Sequence, residues 1–209
     1  MSQSREIPEK AKLVIIGAGP GGYAAAFKAV ELGQDVTLID PEANPGGVCL
    51  HRGCIPSKAL LHVAKLVSEA EESKQIGVIF TKPKINLDQV RTWKDEVVGK
   101  LTGGLGGKVG KMKITYVRGM AQFKDAHTLT VKSTDGAVGE MAIEQAILAT
   151  GSRPIMLPDV AVESQRVIDS TGALEIADVP SSLLVVGGGD IGLELGSVYA
   201  ALESKVSVV

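Results

Sequence analysis

"AKLVIIGAGPGGYAAAFKAVELGQDVTLID", residues 11–40, decides the architecture. A β-branched apolar run from Leu13 to Ile16 enters a glycine turn, a helix of small residues follows and closes at Gly33, and a second apolar run from Val36 to Ile39 ends at Asp40. Strand, helix and strand in that order predict a parallel βαβ unit. Gly17, Gly19 and Gly22 fall at the strand-to-helix turn in GxGxxG spacing. The first allows the tight turn, the second lets the backbone approach a pyrophosphate, and the third lets helix and strand pack closely. Pro20 opens the helix, whose first N–H groups then face the phosphates, and Asp40 is placed to accept hydrogen bonds from an adenosine ribose.

The same theme returns at the far end. "SSLLVVGGGDIGLELGSVYAALESKVSVV", residues 181–209, carries Gly187, Gly189 and Gly192 in the same spacing behind an apolar run, so a second dinucleotide site is expected there. Its matching acid would fall past Val209. Between the two halves, Pro56 opens a helix with Leu60, Leu61, Ala64, Val67 and Ala70 on one face. Asn86 is a cap for a further helix that carries Val90, Trp93 and Val97 inward. "GGLGGKVG", residues 103–110, lacks both a preceding strand and the ending of a phosphate loop, and reads as plain loop. From Ile114 to Leu148, alternating strands with turn signals at 124–127 and 134–136 predict an antiparallel meander. Pro154 and Pro158 mark a linker. The expected fold is α/β: a Rossmann-like dinucleotide domain with a meander over residues 1–152, and the start of a second Rossmann-like domain over 153–209.

Composition narrows the function classes. The 209 residues are 44% hydrophobic and 22% charged with a net charge of −2, as in soluble globular proteins. That charge gives no pull toward nucleic acid or an anionic membrane, and with 3% aromatic residues there is little to stack on bases, despite Lys108, Lys111 and Lys113. The polar start "MSQSREIPEKAK" and the short apolar run behind it match neither a signal peptide nor a membrane span, and a cytoplasmic location is expected.

The only two cysteines, Cys49 and Cys54, stand together in "GGVCLHRGCIPSKALL", residues 46–61. In a reducing compartment such a pair is more often catalytic, redox-sensing or metal-binding than a structural staple. Cys54 falls near the start of a helix, whose dipole favours an anion there. The alternatives are a static disulfide, a zinc site of Cys49, Cys54, His51 and His62, which matches no standard ligand spacing so that no metal is expected, and two inert buried thiols, which would leave the adjoining glycines and Lys58 unexplained. His62 and Trp93 read as helix-packing residues.

The segment resembles the redox-active disulfide segment of the flavin-dependent pyridine nucleotide-disulfide oxidoreductases. "VIIGAGPGGYAAA", "AILATGSRPIMLP", "DSTGAL" and "GGGDIGLELG" match that family in order, so the resemblance covers nearly the whole chain. The ending Ile-Pro-Ser-Lys-Ala-Leu-Leu is most similar to members that oxidise dihydrolipoamide on the lipoyl domains of 2-oxoacid dehydrogenase complexes. Glutathione and mercuric reductases are similar but usually read valine in place of Leu50 and Ile55, and a non-catalytic flavin-binding or docking module is the further alternative.

The resemblance implies that Gly17, Gly19, Pro20, Gly22, Asp40, Gly47, Ala121, Ala149, Thr150 and Gly151 bind FAD. It implies that Cys54 faces the flavin, that Cys49 exchanges with the dithiol, and that Lys58 lies near the flavin and pairs with Glu194. It assigns NAD to Gly187, Gly189, Asp190, Ile191 and Gly192. His51 stands in place of a usual asparagine, Asp190 in place of an apolar or aromatic residue, and Glu203 in place of a frequent glycine. Family members continue into the rest of an NAD domain, a Gly-Asp contact to FAD and an interface domain with a His-Glu base, and they form homodimers. The 209 residues alone are therefore expected not to turn over a dithiol.

Overall fold

The computed structural model describes residues 6–155 and 164–209, so Pro158 and the middle of the expected linker lie outside the described residues. Two compact units divide them: residues 6–51 with 99–152, and residues 52–98 with 153–155 and 164–209. The segment 52–98, on the first side of the expected boundary, thus belongs to the second unit.

In the first unit, β1 (Lys10–Ile16) and β2 (Val36–Asp40) pair in parallel from Leu13↔Val36 to Ile16↔Ile39, with α1 (Pro20–Glu31) as the crossover. β2 continues in parallel to β3 (Thr115–Asp125), and β1 to the second half of β5 (Val138–Leu148). The outer half of β3, β4 (Thr128–Ser133) and the first half of β5 form the expected antiparallel meander. Strands β3 and β5 each serve both parts, so the five strands close into a ring. Alternation sorts the side chains. Val14, Ile16, Ile39, Val117, Leu129, Val131, Met141 and Ile143, drawn from all five strands, form one cluster. Leu13, Ile15, Val36, Leu38 and Tyr116 point the other way, against Ala26, Phe27 and Ala29 of α1. Asp125 and Asp135 turn the two hairpins by accepting from the N–H of His127 (2.8 Å) and Ala137 (3.1 Å). Those backbone N–H bonds also lower the pKa of each carboxyl.

The glycine-rich stretch is a correction. α4 runs unbroken from Leu87 to Lys111. Thr102 and Val109 are buried and Leu105 is half-buried, at helical spacing against the first unit's core. Of the glycines, Gly106 has a packing reason: a Cβ there would overlap the Asn44 side chain, whereas Gly103, Gly104, Gly107 and Gly110 face open space.

In the second unit, α3 (Cys54–Glu72) starts two residues ahead of Pro56 and leads into a short 3-10 turn, Ser73–Ile76. α5 (Ser170–Glu175) is capped by Asp169, which accepts from the N–H of Gly172 at 2.9 Å. β6 (Ser182–Val185), α6 (Asp190–Ala201) and β7 (Lys205–Val208) form the second βαβ unit, with parallel pairing from Ser182↔Lys205 to Val185↔Val208. Leu60 and Ala64 of α3, Leu174, Ile176, and Leu195, Val198 and Leu202 make its core.

Asn86 caps α4 as expected, accepting from the N–H of Gln89 at 3.1 Å. Trp93 does not point inward. It is 39% exposed, with its ring 5.9 Å from that of the exposed His62. Lys94 takes the inner position and donates to the Leu174 carbonyl at 3.2 Å, while Arg91 donates to that of Ile176 at 2.5 Å. Satisfying the last carbonyls of α5 turns α4 by one residue relative to the purely apolar stripe.

Candidate functional site

The first unit builds a turn stripped of side chains at the carboxyl ends of β1 and β2. Gly17 has φ +98°, and its N–H donates to the Ile39 carbonyl at 2.8 Å. A Cβ on Gly17 would overlap the Ala149 carbonyl, and one on Gly22 would overlap the carbonyl of Gly17. Both glycines are therefore fixed by contact. Gly19 is the N-cap of α1, in extended conformation with no capping side chain, and Pro20 follows it. Gly47, at φ +57°, lies against Gly19: its Cβ would come 2.5 Å from the Gly19 Cα. Gly19 and Gly47 meet backbone to backbone, and no side chain caps the helix start, which leaves its N–H groups open to a pyrophosphate.

Asp40 is buried at 7% exposure, and both of its carboxylate oxygens already accept backbone N–H groups, from Ala18 at 2.7 Å and Glu42 at 2.9 Å. The expected free ribose acceptor is first a brace that ties the end of β2 to the glycine turn, with one further lone pair left on each oxygen. Beside it Tyr116 donates to the Glu42 carbonyl at 3.0 Å. Burial, and then the charges of Asp40 and Glu42, raise the Tyr116 pKa above the ordinary phenol range. Arg118 stands opposite Asp40 in the β2–β3 register, beyond which β2 stops. Ala121 lies three positions further along β3, packed beside the ring's inner cluster. Ala149 closes the turn by donating its N–H to Ile16 at 2.8 Å, and exposed Thr150 and Gly151 follow. His51 replaces the usual asparagine by reaching back, its Nε2 3.1 Å from the Asn44 carbonyl oxygen. Cys49 sits half-buried in α2 (Gly47–Arg52).

In the second unit Cys54 is the first residue of the 19-residue α3 and is exposed. Both cysteines are thiols in this structure. The Lys58–Glu194 pair is not formed among the described residues. Instead, Ser57 donates to Glu194 Oε2 at 2.6 Å, and the Lys58 side chain is exposed. The physical reason lies in the helix period: Ser57 shares the buried face of α3 with Leu60 and Ala64, where a hydroxyl must find an acceptor, and Lys58 is one residue round. That rule was the signal for Ser57, a polar residue on an apolar stripe. The second glycine turn repeats the first, with Gly187 at φ +108° and Gly192 fixed under the Gly187 carbonyl. Asp190 and Ile191 open α6 and are exposed.

Among the described residues no three His, Cys, Asp or Glu side chains gather to hold a metal ion, and no helix is long and apolar enough to cross a membrane.

A sequence model of the pyridine nucleotide-disulphide oxidoreductases matches residues 11–209. The chain belongs to that family. It is 50% identical over 206 residues to a dihydrolipoyl dehydrogenase of Haemophilus influenzae, covering 99% of this chain and 43% of that one. It is 46% identical over 196 residues to a dihydrolipoyl dehydrogenase of Geobacillus stearothermophilus, covering 94% of this chain and 41% of that one. Among solved structures, LpdA of Mycobacterium tuberculosis aligns with a TM-score of 0.85 at 26% identity, over 95% of this chain and 44% of that one. The HOCl-induced flavoprotein disulfide reductase RclA of Escherichia coli, solved as a Cu(II) complex, aligns with a TM-score of 0.79 at 30% identity, over 96% and 42%. The chain thus spans less than half the length of each of these relatives. Its α/β architecture, a Rossmann-like dinucleotide domain with a meander and a second βαβ unit, is that of flavoprotein disulfide reductases.

Proposed function

We propose that this chain is the FAD- and disulfide-bearing part of a dihydrolipoyl dehydrogenase, which oxidises the dihydrolipoyl groups of 2-oxoacid dehydrogenase complexes with NAD as acceptor. The observation that carries the reading is the side-chain-free turn formed by Gly17, Gly19, Gly22 and Gly47, followed at once in sequence by the Cys49 and Cys54 pair.

The residues fit FAD. Gly19, Gly22 and Gly47 would turn N–H groups toward its pyrophosphate, with Gly17 making the tight turn and Pro20 setting the helix start, Asp40 would offer its remaining lone pairs to the ribose, and Ala121, Ala149, Thr150 and Gly151 would complete the cradle. When bound, FAD supplies a two-electron acceptor that can pass a hydride to a nicotinamide. Gly187, Gly189, Ile191 and Gly192 would bind NAD at the second turn, where Asp190 stands at the start of the helix.

The thiol chemistry belongs to the chain. In the oxidised state Cys49 and Cys54 form a disulfide. A thiolate of the dihydrolipoyl group attacks Cys49 Sγ, the sulfur–sulfur bond breaks, and Cys54 leaves as a thiolate at the positive end of α3. The second substrate thiol then attacks the sulfur joined to Cys49 and releases it. The substrate ends as a cyclic disulfide, and the two cysteines carry the electron pair. Lys58 and Glu194 set the charge around the flavin, with Ser57 holding the Glu194 carboxylate. The reading includes a cytoplasmic location, lipoyl domains as partners and a homodimer for a full-length chain, with no role for nucleic acid or membrane.

The test is the visible spectrum of the purified chain loaded with FAD, taken before and after one anaerobic equivalent of dihydrolipoamide. A long-wavelength charge-transfer shoulder that is lost in Cys54→Ser is expected. A flavin-loaded chain that shows no shoulder, or the same shoulder in the variant, overturns the role of Cys54. A chain that holds no FAD overturns the assignment of the first turn.

A further inference from the structure

The two glycine turns share one backbone. The first glycines have φ +98° (Gly17) and +108° (Gly187). The N-caps have φ/ψ of −69°/−176° (Gly19) and −77°/174° (Gly189), and the C-caps −86°/9° (Leu32) and −85°/12° (Leu202). They differ in charge. The first turn of α1 opens with Pro20, Gly21 and Gly22 and holds no acidic side chain, whereas α6 opens with Asp190. Asp190 is exposed, and among the described residues no hydrogen-bond or ion-pair partner offsets its carboxylate.

A pyrophosphate seated on a helix start draws its affinity from the unpaired N–H groups and the positive end of the helix dipole. A carboxylate on the first residue of that helix occupies the same positive potential and repels the incoming phosphates. We infer that Asp190 grades the two sites: the same backbone makes the first turn a tight dinucleotide holder and the second a weak one from which the nucleotide leaves readily. In water-like surroundings the repulsion between one carboxylate and the two charges of a neighbouring pyrophosphate corresponds to about a tenfold change in dissociation constant. The inference rests on the reading of the second turn as a dinucleotide site.

The experiment is an isothermal titration of the 209-residue chain with NAD in saturating FAD, in the natural protein and in Asp190→Asn and Asp190→Ala, each in low and in high salt. Both variants are expected to bind NAD about tenfold more tightly than the natural chain in low salt, with the gap narrowing in high salt as screening removes the repulsion. Equal affinities in all three proteins overturn the role of Asp190 and leave the site standing. Weaker binding in both variants also overturns it, since the carboxylate would then be a ligand. Absence of NAD binding in all three overturns the site itself, and the grading with it.

Discussion

Replacing Gly103, Gly104 and Gly107 together by alanine is expected to stabilise the first unit. All three lie inside α4, and a Cβ at each meets nothing within 4 Å. Each glycine in a helix interior is less favourable than alanine by about 0.5–1 kcal/mol, because the flexible backbone loses more entropy on ordering. The three together therefore amount to about 2 kcal/mol, or a rise in Tm of about 4–8 °C for a chain of this size. Gly106→Ala is expected to gain less than the other three, because its Cβ meets the tip of the Asn44 side chain, which must rotate away. Pairing it with Asn44→Gly should remove that difference, since the two changes act on one contact. Urea and thermal unfolding followed by far-UV circular dichroism give these differences. A triple variant no more stable than the natural chain would mean that residues 103–110 are loop and would refute the helix.

Further outcomes follow from single positions. Glu203 sits at φ +80°, where α1 has Gly33 at +81°, so Glu203→Gly should stabilise the second unit by about 1 kcal/mol even as it removes an exposed 2.5 Å pair with Lys82 worth little, with the urea midpoint as the check. Burial raises the Tyr116 pKa, so the protonated phenol contributes stability that is complete below about pH 10 and lost as pH climbs through the folded value. Tyr116→Phe should cost about 1 kcal/mol at neutral pH through its bond to Glu42, yet unfold less steeply in alkali, and an unchanged alkaline slope would locate the titration elsewhere. Gly22→Ala must displace the Gly17 carbonyl, and loss of FAD binding with a lowered Tm is expected, whereas normal FAD uptake would disprove the tight turn.

Both βαβ units were legible because their signals are local: β-branched runs, glycines at fixed offsets and a Gly33 just past the helix. The closure of the ring was not, since it joins Lys10 to Ala142 and Thr37 to Thr115, pairings that alternation within a strand does not encode. The glycine-rich helix was hidden because glycine reads as punctuation, while the helical spacing of Thr102, Leu105 and Val109 lay beneath it. Asp40 was legible as an acid at the right place, but its two backbone partners depend on how the chain returns at Ala18 and Glu42. The expected Lys58–Glu194 pair followed family pattern, whereas the rotation of α3 selects Ser57.

The closed ring also decides where the first unit can accept new sequence. β3 and β5 carry hydrogen bonds to the nucleotide-bearing strands along one half and to the meander along the other, so neither part can slip its register without opening the other. Amide protons of β4, far from the glycine turn, should therefore exchange as slowly as those of β1. The hairpin tips around Ala126 and Gly136, which carry no part of that shared ladder, are the places to splice in a tag or a reporter domain without disturbing the nucleotide cradle.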